Sequence, residues 1–129
     1  MRVQELIDLV SEIENKQLKN YSSENNRYDI APVNSEGSPA SYASARPTIA
    51  FKVFDDEIAL QWLYLNTRNQ GLGTKVIQWL IDYCKVKGIS KMSIRLVEED
   101  NKSMMTLAEK FGFQIRGERG SSLNYELIL

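Results

Sequence analysis

The sequence predicts an α/β fold of the mixed α+β kind, with a central mixed sheet flanked by helices. Three observations predict it. Two adjacent β-rich runs, "TIAFKVF" (48–54) and "IALQWLYL" (58–65), are joined by the turn "DDE" and read as an antiparallel hairpin. A helical stretch then separates the second run from another strand-like run, "SKMSIRLVEE", and a strand–helix–strand passage implies a right-handed crossover between parallel strands. Two further β-rich pieces, "FQIR" and "LNYELIL", close the chain around the turn "GERGSS".

The elements follow in order. Residues 3–18 carry Val3, Leu6, Ile7, Val10 and Ile13 at the spacing of an amphipathic helix. Residues 19–47 are rich in Ser, Asn, Pro and Gly and read as a long connection, with a short strand near residues 28–33. In "TIAFKVF" the residues Ile49, Phe51 and Val53 share one face. "GLGTKVIQWLIDYCKVKG" places Leu72, Val76, Ile77, Leu80, Ile81 and Cys84 on one helical stripe and stops at Gly88. In the strand after it Met92, Ile94 and Leu96 are expected on one face. "NKSMMTLAEKFG" has Met104, Leu107, Ala108 and Phe111 at i, i+3, i+4, i+7, with Asn101 as N-cap and Gly112 as C-terminal stop.

Composition bounds the chemistry. With 129 residues, 43% hydrophobic and 26% charged, the chain has the size and make-up of one globular domain. A net charge of −1 gives no bulk field for nucleic acid, and no run reaches the ~20 apolar residues of a membrane span. Neither nucleic acid nor a membrane is expected as partner. The start of the chain lacks the apolar core of a signal peptide, and the single cysteine, Cys84, reads as a buried thiol in a reducing compartment, so a cytoplasmic protein is expected. There is no histidine, which removes His-based triads and, with one cysteine, argues against a metal site. Catalysis would rest on carboxylates, tyrosines, backbone amides or a cosubstrate.

The informative stretch is "TRNQGLGT", residues 67–74, between a strand and a helix. Glycine costs roughly 1 kcal/mol against alanine inside a helix, yet Gly71 and Gly73 stand where one begins. A Walker A loop needs Gly-Lys-Ser/Thr after four spacer residues, and Lys75 is misplaced for it. A dinucleotide fingerprint needs a third glycine, where this chain has Val76. A helix N-terminus with unpaired N–H groups and no bulky side chains does suit a phosphate group.

Arg68, Gly71 and Gly73 in the pattern Arg-x-x-Gly-x-Gly resemble the central motif of the GNAT superfamily of acetyl-CoA-dependent N-acetyltransferases. A second match follows one helix and one strand later: Asn101, then "LAEK", then "FGF". The resemblance spans about residues 48–129, and the first 47 residues match poorly. It implies that Arg68, Asn69, Gln70, Gly71, Leu72, Gly73 and Thr74 cradle the pyrophosphate of acetyl-CoA. It implies too that the strand before the loop splays from its parallel neighbour, so that Leu63, Tyr64 and Leu65 pair with the pantetheine arm, and that Asn101 hydrogen-bonds that arm. The reaction implied is direct acetyl transfer to an amine acceptor, a small molecule or peptide, in a ternary complex. A homodimer is one admissible assembly.

One position departs from the family. Many members carry a tyrosine seven residues after the asparagine as the acid for the departing thiol, and this chain has Ala108 there. Substitute acids are Tyr64, Tyr125 and Ser103; Tyr125 alternates with Leu123 and Leu127 and so also suits the core. For the base, Glu98 heads the acidic turn Glu98–Glu99–Asp100, while Glu57 begins its strand at the end away from the cofactor. The alternative is a GNAT-fold domain that binds coenzyme A or a protein partner without turnover.

Overall fold

The computed structural model describes residues 1–33, 48–65 and 71–129. Its elements run α1 (Val3–Glu14), β1 (Leu18–Asn20), β2 (Arg27–Pro32), β3 (Ile49–Val53), β4 (Glu57–Leu63), α2 (Leu72–Lys87), β5 (Lys91–Glu98), α3 (Lys102–Lys110), β6 (Gln114–Arg119) and β7 (Ser122–Ile128). The strands form one sheet in the order β1-β2-β3-β4-β5-β7-β6. Its neighbours are antiparallel except β4 and β5, which run parallel across the α2 crossover. The sheet is mixed, as the hairpin and the strand–helix–strand passage together require.

Each element follows from its local sequence. The α2 stripe of Leu72, Val76, Ile77, Leu80, Ile81 and Cys84 is buried against β4 and β5, and burial of each large aliphatic side chain is worth about 1.5–3 kcal/mol. Gly88 ends the helix at φ 73°, with the Ile89 N–H donating to the Cys84 carbonyl at 2.8 Å. Trp79 and Tyr83 stack at 5.2 Å beside that stripe and pack on the core margin. α1 buries Leu6, Ile7 and Val10 and packs on β1 and α2.

Three expectations are corrected. α1 ends at Glu14 rather than 18, because Asn15 takes the left-handed conformation (φ 52°), which asparagine tolerates better than most residues. The released residues 18–20 form β1, paired with β2 from Leu18↔Pro32 to Asn20↔Ile30, a strand too short to show a period in sequence. Leu96 does not share the buried face of Met92 and Ile94. It is 58% exposed at φ 57°, and Val97 is buried in its place. The cause is a bulge: Arg95 and Leu96 together face one residue of β7 between the pairs Ile94↔Tyr125 and Val97↔Leu123. An extra residue reverses the alternation beyond it.

Candidate active site

The parallel ladder between β4 and β5 runs from Glu57↔Lys91 to Leu60↔Ile94 and stops there. Just past that point both strands bulge. On β4, Gln61 is the additional residue between the β3 pairs Phe51↔Leu60 and Ala50↔Trp62. On β5 the bulge is at Arg95–Leu96. Each strand stays bonded to its outer neighbour while the inner ladder is lost, so the sheet splits. The split is a cleft of about 740 Å³. Its walls are residues 60–65 of β4 and its continuation and residues 94–98 of β5; its ends are the start of α2 (Gly71–Thr74) and the start of α3.

Beyond Leu60 the backbone of β4 has no ladder partner in β5 on this side. The Tyr64 N–H is bonded away from the cleft, to the Thr48 carbonyl at 2.8 Å. Alternation along a strand therefore turns the Leu63 N–H towards the gap, an amide able to pair with an extended ligand or to stabilise an oxyanion. Leu65 follows two residues on, and the Tyr64 side chain, 48% exposed, lies on the cleft wall.

At the α2 end, Gly71 is the N-cap in the left-handed region (φ 67°, ψ 21°), and a Cβ there would meet nothing within 4 Å. Glycine is needed for this backbone, and it leaves the approach open. The first intrahelical bond is Lys75 N–H to Gly71 O at 3.0 Å, so the N–H groups of Leu72, Gly73 and Thr74 have no partner within the helix. The first turn contains no acidic residue. Gly73 has a different reason to be glycine: a Cβ there would lie 3.1 Å from Leu107 Cδ2, so its absence lets α2 press against α3. This contact brings Lys110, one turn after Leu107, to the Thr74 hydroxyl at 3.4 Å. A cation at a helix N-terminus is poorly placed unless an anion joins it. Sequence reading missed Lys110, since only the α2–α3 packing puts it there.

Asn101 caps α3, its Oδ1 accepting the Met104 N–H at 3.1 Å, and it lines the cleft. Its side-chain NH2 takes no part in that cap and is able to donate to a ligand. Glu98 also lines the cleft, but its two oxygens accept from Ser121 Oγ at 3.1 Å and Ser122 Oγ at 2.9 Å. These bonds tie the carboxylate to the start of β7. Tyr125 is 1% exposed in the core of β7, outside the cleft lining, and its hydroxyl has no hydrogen-bond partner among the described residues. Burial, then the nearby Glu109 carboxylate, raises its pKa. Ala108 is fully buried. Arg68, Asn69 and Gln70, and residues 34–47 of the long connection, lie outside the described residues.

Below the cleft, Glu57 joins β4 to β5 through Ser93, Arg95 (2.9 Å) and Lys91 (3.3 Å). Burial would raise its pKa, but hydrogen bonds from Ser93, Arg95 and Lys91 and the Arg95 charge outweigh it and hold the carboxyl below its usual value. Lys91 is thus engaged at the foot of the sheet. No cluster of three or more His, Cys, Asp or Glu residues able to hold a metal occurs among the described residues. No helix among them is long and apolar enough to cross a membrane.

A sheet split between parallel β4 and β5, with a glycine-capped helix at the mouth of the split, is the architecture of the acetyl-CoA-dependent acyltransferases. The family model for the acetyltransferase (GNAT) family matches residues 4–113, and the chain belongs to that family. The match reaches back through α1, into the part of the sequence that carries neither motif. Solved structures agree on the fold. PaiA N-acetyltransferase of Thermoplasma acidophilum, crystallised with coenzyme A, is 23% identical with a TM-score of 0.57, over 63% of this chain and 52% of that one. A domain from Methanocaldococcus jannaschii is 19% identical (TM-score 0.57, 83% and 70% covered). N-acetyltransferase PseH of Campylobacter jejuni is 12% identical (TM-score 0.58, 98% and 79% covered). The chain thus spans about half the length of the Thermoplasma protein. A search of curated proteins finds no match.

Proposed function

We propose that this protein is an N-acetyltransferase that moves an acetyl group from acetyl-CoA to an amine by direct attack in a ternary complex. The observation that supports it most is the end of the β4–β5 ladder at Leu60↔Ile94, which opens the cleft towards the start of α2. In this reading the diphosphate meets the N–H groups of Leu72, Gly73 and Thr74, with Gly71 leaving the path open, Lys110 beside them, and Arg68, Asn69 and Gln70 completing the loop. The pantetheine arm runs along Leu63, Tyr64 and Leu65 and takes a hydrogen bond from the Asn101 amide.

The thioester oxygen accepts from the Leu63 N–H, which stabilises the negative charge of the tetrahedral intermediate. A neutral amine attacks the carbonyl carbon, the C–S bond breaks, and the thiolate leaves. Tyr64 is the phenol on the cleft wall that can protonate it. The proton lost by the amine goes to water or to Glu98. Calorimetric titration with acetyl-CoA tests the reading: micromolar to submillimolar affinity is expected, and no binding at millimolar ligand would refute it. Tyr64→Phe is expected to lower kcat about 10²-fold with acetyl-CoA affinity kept within about threefold, if the phenol acts as general acid.

A second reading, coenzyme A or partner binding without turnover, is favoured by Ala108. Its full burial leaves no phenol at that point of α3. Release of coenzyme A over a panel of amines and peptides separates the two readings.

A further inference from the structure

Between Ile94 and Val97 the residues Arg95 and Leu96 stand against a single residue of β7, Asn124. Leu96 has φ 57°, a left-handed conformation unfavourable to a branched L side chain, and at 58% exposure no burial compensates for it. One hydrogen bond secures it: the Leu96 N–H donates to Asn124 Oδ1 at 2.9 Å. On the far side, Asn124 pairs with Gly117 of β6, where even an added Cβ would lie 3.6 Å from Asn124 Nδ2, so the amide has room. The side chain of Asn124 thus takes the place of a ladder bond at the point where β5 turns from β4.

We infer that Asn124 is a positioning residue for the cosubstrate: its amide clamps the β5 bulge to β7 and so keeps the gap to β4 open. The inference rests on the reading of the cleft given above. Without the acceptor oxygen, Leu96 relaxes towards extended backbone, the bulge loses its anchor, and Arg95–Val97 is freed to approach β4 and narrow the cleft. Asn124 itself does not line the cleft and touches no ligand in this scheme.

The test is calorimetric titration of the full chain with acetyl-CoA, paired with amide hydrogen exchange read by NMR. Asn124→Ala should weaken binding about tenfold, the scale of one net hydrogen bond. Asn124→Asp, which keeps an acceptor oxygen, should restore affinity to within about threefold. The Leu96 N–H should exchange slowly in the wild type and Asn124→Asp and fast in Asn124→Ala, with core amides such as Ile58 protected in all three. Wild-type affinity in Asn124→Ala, or equal weakness in Asn124→Asp, overturns the inference. If the wild type binds no acetyl-CoA, the reading of the cleft fails instead. A Leu96 N–H that then exchanges like an open loop also overturns the clamp, whereas slow exchange upholds the clamp alone.

Discussion

Thr74 sits in the first turn of α2, half-buried, where its N–H has no partner within the helix. A carboxylate there would favour the helix by about 0.3–1 kcal/mol through the dipole, yet would repel a phosphate. Thr74→Glu is therefore expected to keep or raise Tm while weakening acetyl-CoA binding at least tenfold. A loss of both would mean that the variant damages the fold; unchanged binding would take the phosphate away from this turn. The glycines are less clean probes. Gly71 has no room problem but a conformational one, and Gly73 has the reverse, with Leu107 at 3.1 Å. The sequence offers two similar glycines in one motif. Their separate reasons appear only when φ and the neighbouring helix are known.

The pair β4–β5 is both a structural and a functional element. Its closed end is tied by Glu57 to Ser93, Arg95 and Lys91, and its open end makes the cleft. Because the folded state holds the Glu57 carboxyl below its ordinary value of 4.5, its contribution to stability is present above that pH and is lost as pH falls through the lowered value. Glu57→Gln should cost about 1–2 kcal/mol at pH 7, and the deficit should shrink in acid, once the pH has fallen through that lowered value and wild-type Glu57 is itself protonated. Urea unfolding at the two pH values checks this, and a deficit that does not depend on pH would show that charge is not what ties the strands. Both strands were legible in sequence as alternating runs. The end of their pairing was not, since the bulges at Gln61 and Arg95–Leu96 depend on registers with β3 and β7.

At the scale of the molecule, α1, α2 and the strands share one core, and Cys84 lies within it at 0% exposure. Burial pushes its thiol up to about 11, so almost no thiolate forms at neutral pH. Alkylation of the native protein by iodoacetamide at pH 7.5 should be slower than for a free thiol by at least 10²-fold and should speed up only with global unfolding. Fast modification under native conditions would mean that α2 opens separately from the sheet.

The sequence by itself determined the order of the main elements, the apolar stripe of α2, the helix stops at Gly88 and Gly112, and the family, because periodicity, capping and motif spacing are local. It named Gly71, Thr74 and Asn101 for the same reason. Tertiary structure alone decided where the β4–β5 ladder ends, that Leu96 leaves the core, that Lys110 reaches the start of α2 and that Asn124 holds the β5 bulge. Each of these joins residues 28 to 36 positions apart or rests on a register between strands, and no local pattern encodes a contact that only packing creates.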